Sequence, residues 1–231
     1  MEDYKNHFKL PIQTSSEVKK IKRVKEDNKW RLFLDSKIFE CDCLVLGVGL
    51  ASFPFIPIIK GLEEFKGEVI HSIKYKNPHL YKNKNVLIVG AGNSAAEISY
   101  ELSEEGIDTT IYIKNGANIA PLSVLGIPIQ YIGYIMSIFP KKFQLALIKA
   151  GNFFIDLLSG GPFIPRPSYS PLDRPPIIGK KFLNSLKKGS IKYQRKINAY
   201  KENGVILENQ KFKKIDTIIL ATGFKVNFDI F

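Results

Sequence analysis

Cysteine is scarce: the chain has two, Cys41 and Cys43, two residues apart. On a strand they would point to one face of that same strand, a poor geometry for a mutual disulfide. Neither their number nor their spacing forms a metal site. The chain therefore lacks a disulfide scaffold, and a reducing cytoplasm is its expected setting. Arginine is scarce as well. Of 34 basic residues 29 are lysine, and together they set a formal net charge of +12. Phosphate-backbone recognition favours the planar arginine fork, so scattered lysines argue against a nucleic-acid partner. No apolar run follows the acidic start Glu2-Asp3, so no secretory signal is read there. Internal repeats of solenoid length and low-complexity tracts are also missing. What remains is an ordinary globular composition, 231 residues with 45% apolar and 24% charged, enough for one large or two small domains.

The first sixty residues read as β. Trp30 to Leu34 is a strand candidate preceded by the turn residues Glu26-Asp27-Asn28, and Glu17 to Val24 is ambiguous in period. Phe39 to Gly49 contains the apolar run Cys43-Leu-Val-Leu46 followed by glycine, the pattern of a buried parallel strand. A second unit begins at Lys84. Asn85 to Val89 predicts a buried strand, Asn93 to Glu105 a helix closed by Gly106, and Asp108 to Ile113 the next strand. This β-α-β order implies an α/β fold with a parallel sheet.

The stretch from Asn115 to Pro140 carries no charged residue. Its length suits a membrane span, but Pro121, Gly126, Pro128, Gly133 and Gln130 interrupt it. Together with an amphipathic helix from Lys141 to Leu158, it is read as a helical insertion over 117–160 that covers a pocket. A peripheral membrane contact is the competing reading. A proline-rich connector follows from Pro162 to Pro176, in which Asp173 and Arg174 are expected to form a local ion pair. Lys214 to Leu220 predicts a final buried strand leading into Ala221-Thr-Gly-Phe224.

The segment Val86-Leu-Ile-Val-Gly90-Ala-Gly92-Asn93-Ser94-Ala95 has the chemistry of a dinucleotide site. Gly90 permits the tight turn off the strand, Gly92 lets a pyrophosphate approach the backbone, and Ala95 lets the helix pack close to the sheet. The helix N-terminus then offers N–H groups to the phosphates. At the end of the next strand an NAD site usually carries an acidic residue for the ribose hydroxyls. Here Ile113-Lys114-Asn115 places a cation instead, which suits a 2′-phosphate and so NADPH.

Around this Rossmann-like unit stand further motifs. Phe65-Lys-Gly67-Glu-Val-Ile-His71-Ser72-Ile-Lys-Tyr75 resembles the F-x-G-x-x-x-H-S-x-x-Y fingerprint of the flavin-containing monooxygenases, class B flavoprotein monooxygenases with a plant YUCCA-like branch. The Gly90–Ala95 turn is similar to that family's NADPH turn, and Ala221-Thr222-Gly223-Phe224 to its junction back to the FAD domain. Where the family has a first A-T-G junction, this chain has Gly47-Val48-Gly49. Pro171 to Pro175 and Gly189 to Lys192 also look familial. The resemblance implies two dinucleotide-binding domains. Residues 1–60 would be a partial FAD-domain segment, 61–215 an NADPH domain, and 216–231 the return strand to the FAD domain. The strands ending at Gly49 and Gly223 would then share one flavin-domain sheet. It further implies that Gly49, Thr222 and Gly223 lie near a flavin. His71, with Gly67 and Ser72 in the same motif, would be a structural hinge residue, cofactor-coupled motion being the second reading; Phe65 and Tyr75 read as packing residues rather than substrate contacts.

The activity so implied is NADPH- and FAD-dependent monooxygenation of a small organic substrate with oxygen, by heteroatom oxygenation or oxidative decarboxylation. The cofactor carries that chemistry, so no catalytic acid, base, nucleophile or metal ligand is assigned. The family's first G-x-G-x-x-G turn has no counterpart before Lys84. The chain is accordingly read as the central and NADPH-binding portion of such an enzyme, expected to bind FAD poorly alone and to take a complementing FAD-domain polypeptide as partner. A catalytically inactive NADPH-binding fragment is the alternative. A disulfide reductase would need C-x-x-C near the flavin, and Cys41-Asp-Cys43 is C-x-C.

Overall fold

The computed structural model describes residues 2–49, 51, 53–124, 126–159 and 162–226, which form two compact units. One comprises the residues up to Phe53 with those from Phe224 on; the other is Pro54–Gly223. Leu125 and Gly160 of the expected insertion, and residues 227–231 of the expected return segment, lie outside the described residues.

The first unit has a short helix α1 (Glu2–His7) and an antiparallel meander of β1 (Lys20–Val24), β2 (Lys29–Phe33) and β3 (Ile38–Cys41). Asn28, at φ 56°, makes the tight return between β1 and β2, and Val24 pairs with Lys29 across it. The apolar run Cys43–Leu46 corrects the expectation of a buried strand: it is irregular, and Val45 is 86% exposed. An apolar run becomes a parallel strand only where neighbours pair with it on the sheet. The chain leaves the meander at Cys41, and among the described residues no strand takes up 43–46.

The second unit is built on a five-stranded parallel sheet. Its strands are β4 (Glu68–His71), β5 (Asn85–Val89), β6 (Asp108–Tyr112), β7 (Ile191–Gln194) and β11 (Thr217–Leu220), in the order β7-β6-β5-β11-β4. On the opposite face from its main helices runs an antiparallel meander of β8 (Ile197–Lys201), β9 (Gly204–Leu207) and β10 (Phe212–Lys214). Alternation along β5 explains both layers. Val86 and Ile88 pack in the cluster containing Ala95, Ile98 and Leu102 of helix α2 (Asn93–Glu104). Leu87 and Val89 pack in the opposite cluster with Tyr200, Val205 and Leu207 of the meander. Both faces of the sheet are thus covered, as a parallel sheet requires.

β11 corrects the expected division at residue 216. It sits in the sheet interior between β5 and β4, with Ile218 paired to Leu87 and to Val69. Residues 217–220 therefore complete the nucleotide-type sheet, and this strand shares no sheet with the 43–49 region. Its entry is fixed by Asp216, whose carboxylate accepts from the Asn85 backbone N–H at 2.8 Å and from its side-chain amide at 2.7 Å. The Asn85 N–H bond holds the Asp216 carboxyl below the ordinary carboxylate range. A carboxyl depressed in the folded state stabilises above its unfolded pKa of about 4 and loses that contribution as pH falls further. Asp216→Ala is expected to cost about 1–2 kcal/mol in urea unfolding at neutral pH. The gap from wild type should close as pH falls below about 4.

The segment after β6 carries helices α3 (Ile129–Ser137) and α4 (Lys141–Ser159) in the expected insertion. The connector returns through Ile177–Ile178, paired parallel with Ile119–Ala120, into α5 (Lys180–Lys187).

Candidate functional site

The turn between β5 and α2 separates two glycine roles. Gly90 has φ +151°, and a Cβ there would meet the carbonyl oxygen of Ala221 at the end of β11. Only glycine lets the chain turn so close to that strand. Gly92 has ordinary extended geometry, φ −108° and ψ 180°, and a Cβ built there meets nothing within 4 Å. Local backbone strain does not require its hydrogen; open space lies before it.

That space faces the start of α2. Ala96 N–H is bonded to Gly92 O at 3.1 Å, so the N–H groups of Asn93, Ser94 and Ala95 precede it, and no side chain caps them. No acidic residue occupies the first turn, so the partial positive charge of the helix start is uncancelled locally. Ala95 is fully buried against the sheet, whereas Ser94 is exposed. Asn93 has a positioning role as well: its Oδ1 accepts from the Ile178 N–H at 2.8 Å and ties the helix start to the connector.

A cavity of about 510 Å³ opens beside the turn, lined among others by Gly90, Ala91, Lys114, Asn115, Tyr169 and Arg174. Lys114 lies on the irregular segment after β6 and is exposed. Arg174 corrects the expected local ion pair. Asp173 instead accepts from the Ser170 backbone N–H at 3.3 Å, and the Arg174 guanidinium lies 4.8 Å from the centre of the Tyr169 ring. Among the described residues no salt bridge joins Asp173 to Arg174. The proline-rich connector thereby brings Arg174 to a cavity that Lys60 and Lys114 also line. Tyr112 and Tyr200 also line it, and burial pushes the Tyr200 phenol up to about 12.

The other expected residues, Gly49 apart, gather elsewhere in the same unit. His71, at the end of β4, places Nε2 3.0 Å from the Gly223 carbonyl, and its Nδ1 accepts from Ile73 N–H at 3.3 Å. With Nδ1 accepting, Nε2 is the donor. Gly223 O also accepts from Phe55 N–H, and the Thr222 hydroxyl donates to Phe55 O at 2.5 Å. Thr222 and Gly223 are thus engaged in binding the chain to itself. Phe65 is buried, and Gly67 runs so close to it that a Cβ would strike the Phe65 ring. Ser72 opens a 3₁₀ turn closed by Tyr75, whose hydroxyl donates to Glu101 at 2.8 Å and whose ring stacks on Tyr81. Gly49 belongs to the first unit, at φ +70° with nothing near its Cα hydrogen position.

A second cleft, of about 470 Å³ and mainly apolar, is lined by Ile119, Pro121, Phe163 and Leu183, with the ion pair Arg166–Asp156 at 2.6 Å on its wall. Asp156 comes from α4, so the insertion does border a pocket. Among the described residues no group of histidine, cysteine and acidic side chains could hold a metal, and Cys41 and Cys43 are free thiols. No helix of the described residues is long and apolar enough to cross a membrane.

Comparison with known proteins agrees with these features. A family model described as flavin-binding monooxygenase-like matches residues 13–231. The chain is 27% identical over 238 residues to the probable indole-3-pyruvate monooxygenase YUCCA4 of Arabidopsis thaliana, covering 98% of this chain and 57% of that protein. It is 28% identical to monooxygenase aurF of Gibberella zeae, covering 100% of this chain and 47% of the relative. The chain thus spans about half the length of the curated relatives it matches. Among solved structures, a flavin-containing monooxygenase from Stenotrophomonas maltophilia superposes with TM-score 0.68 at 16% identity, over 97% of this chain and 55% of that one. A cyclohexanone monooxygenase from Rhodococcus sp. Phi1 bound to NADP+ gives 0.69 at 17%, over 96% and 54%. At these identities the superpositions speak for the fold alone, which this chain shares with about half the length of each neighbour.

Proposed function

Because the chain belongs to the flavin-binding monooxygenase-like family, we propose that its second unit is the NADPH-binding part of an FAD-dependent monooxygenase. One observation carries this reading: Gly90 is sterically obligatory, while Gly92 leaves open space before an uncapped helix start. A turn needs the first glycine to fold; the second, at the N-cap of α2, leaves the approach to the helix start clear for a group from outside. A pyrophosphate fits that description. Its charges would be met by the N–H groups of Asn93, Ser94 and Ala95. Lys114 and Arg174, in the adjoining cavity, would take the 2′-phosphate end, where no acidic residue lines the wall to repel it.

FAD, when bound, supplies the redox and oxygen chemistry. The protein's part is to bind and orient the nicotinamide nucleotide, so no side chain here is given an acid–base role. The substrate would be a small organic molecule, oxidised with oxygen by heteroatom oxygenation or by oxidative decarboxylation. A second glycine-rich turn, outside residues 1–231, would complete the flavin site. A second reading is a chain that binds NADPH and catalyses nothing. The internal bonds of Thr222 and Gly223 favour it, because those groups were expected at the flavin.

Oxygen uptake distinguishes the two. With NADPH, FAD and a co-expressed polypeptide carrying such a β-α-β unit, the monooxygenase reading expects flavin to co-purify and uptake to depend on NADPH. Persistent absence of both, with NADP+ binding intact, selects the non-catalytic reading.

A further inference from the structure

Helix α5 divides its side chains between two faces. Phe182, Ser185 and Leu186 are buried. Lys180, Leu183, Asn184 and Lys187, spaced i, i+3, i+4 and i+7, share the face that walls the apolar cleft. The cleft holds about 470 Å³, the size of a small-molecule pocket. Among its apolar lining residues Val124 is 41% and Phe163 38% exposed, so the wall stands open to water.

Charge decides what fits there. Asp156 is the acidic residue of the lining, and Arg166 on the same wall already neutralises it at 2.6 Å. Among the described residues no acidic side chain pairs with Lys180 or Lys187. The Lys187 ammonium instead lies 5.4 Å from the centre of the Phe163 ring. At the other end of α5 the helix start has no side-chain cap and no acidic residue in its first turn, which adds partial positive charge beside Lys180. Seven residues of helical rise set the two lysines roughly 10 Å apart along the axis, with Leu183 between them. A singly charged ligand can meet only one of them. A ligand with an anionic group at each end of an apolar body meets both.

We propose that this cleft binds a rod-shaped organic dianion of the dicarboxylate class. Its apolar body lies against Leu183 and Phe163, and Lys180 and Lys187 take its two ends. The cleft shares no lining residue with the nucleotide cavity, so this is a second ligand site.

The test is calorimetric titration of the full chain with three probes. Biphenyl-4,4′-dicarboxylate carries both charges on a long apolar body, biphenyl-4-carboxylate carries one, and terephthalate carries two on a body of one ring. The first is expected to bind about three- to fivefold tighter than either of the others, the gain from one more partly exposed ion pair. Lys180→Gln and Lys187→Gln should each remove that advantage, and Leu183→Glu should abolish binding. Circular dichroism of the lysine variants should match wild type, because both side chains are exposed. Lys114→Glu, in the other cavity, should bind the dicarboxylate as wild type does, whether or not the chain takes NADP+. No saturable binding of the dicarboxylate, equal affinity for all three anions, or full affinity in both lysine variants overturns the proposal. Loss of binding in Lys114→Glu would place the anion in the nucleotide cavity and overturn it as well.

Discussion

Gly90→Ala is expected to unfold the nucleotide unit at markedly lower temperature, whereas Gly92→Ala leaves it as stable as wild type. At Gly90 the new methyl group meets the Ala221 carbonyl, and the residue must also hold φ +151°. A methyl forced into a packed site costs about 1–3 kcal/mol, and the backbone conformation adds to that. About 3 kcal/mol corresponds to a fall of roughly 6–12 °C in Tm for a chain of this size. At Gly92 both the dihedral angles and the space accept alanine, so stability should stay within about 0.5 kcal/mol. Nucleotide affinity should nevertheless fall about tenfold, as for one lost hydrogen bond to a charged phosphate. Thermal melts and calorimetry on the two variants separate folding from binding. If Gly92→Ala binds as tightly as wild type, the pyrophosphate does not approach there.

Lys114→Glu should discriminate between nucleotides rather than weaken both. The reversal removes a charge-assisted contact to the 2′-phosphate and adds repulsion, a loss of about 1–3 kcal/mol and so roughly 5- to 150-fold in NADP+ affinity. NAD+ has no phosphate at that position and should change little. Because Lys114 is exposed, the difference should shrink as ionic strength rises. Equal losses for both nucleotides would show that Lys114 does not read the phosphate. Arg174 and Lys60 would then remain as the cations lining the cavity.

The unit from Asn85 to Tyr112 was legible because every signal in it is local: an apolar strand, a glycine turn, a 3.6-period helix and a second strand. The order of strands was not. Thr217–Leu220 reads as a buried strand from its own residues, but nothing in them says that it pairs between β5 and β4; that choice is made by contacts far apart in sequence. Cys43–Leu46 failed for the converse reason, since apolar residues signal burial only where something covers them. Arg174 was missed because its place depends on how the connector folds back, with Ala117 N–H bonded to Pro165 O. One signal did exist. In a chain where lysine outnumbers arginine 29 to 5, an arginine marks a site where a planar, stacking cation is wanted. Phe65 and Tyr75 read as packing residues from the sequence; Phe65 is buried, and the Tyr75 ring stacks on Tyr81.

The most direct test of the nucleotide assignment is a calorimetric titration of the intact chain with NADP+ and, separately, with NAD+. Saturable binding of one NADP+ per chain is expected, about tenfold or more tighter than NAD+, the difference one charged phosphate contact makes. No heat with either nucleotide, or equal affinity for both, would contradict it.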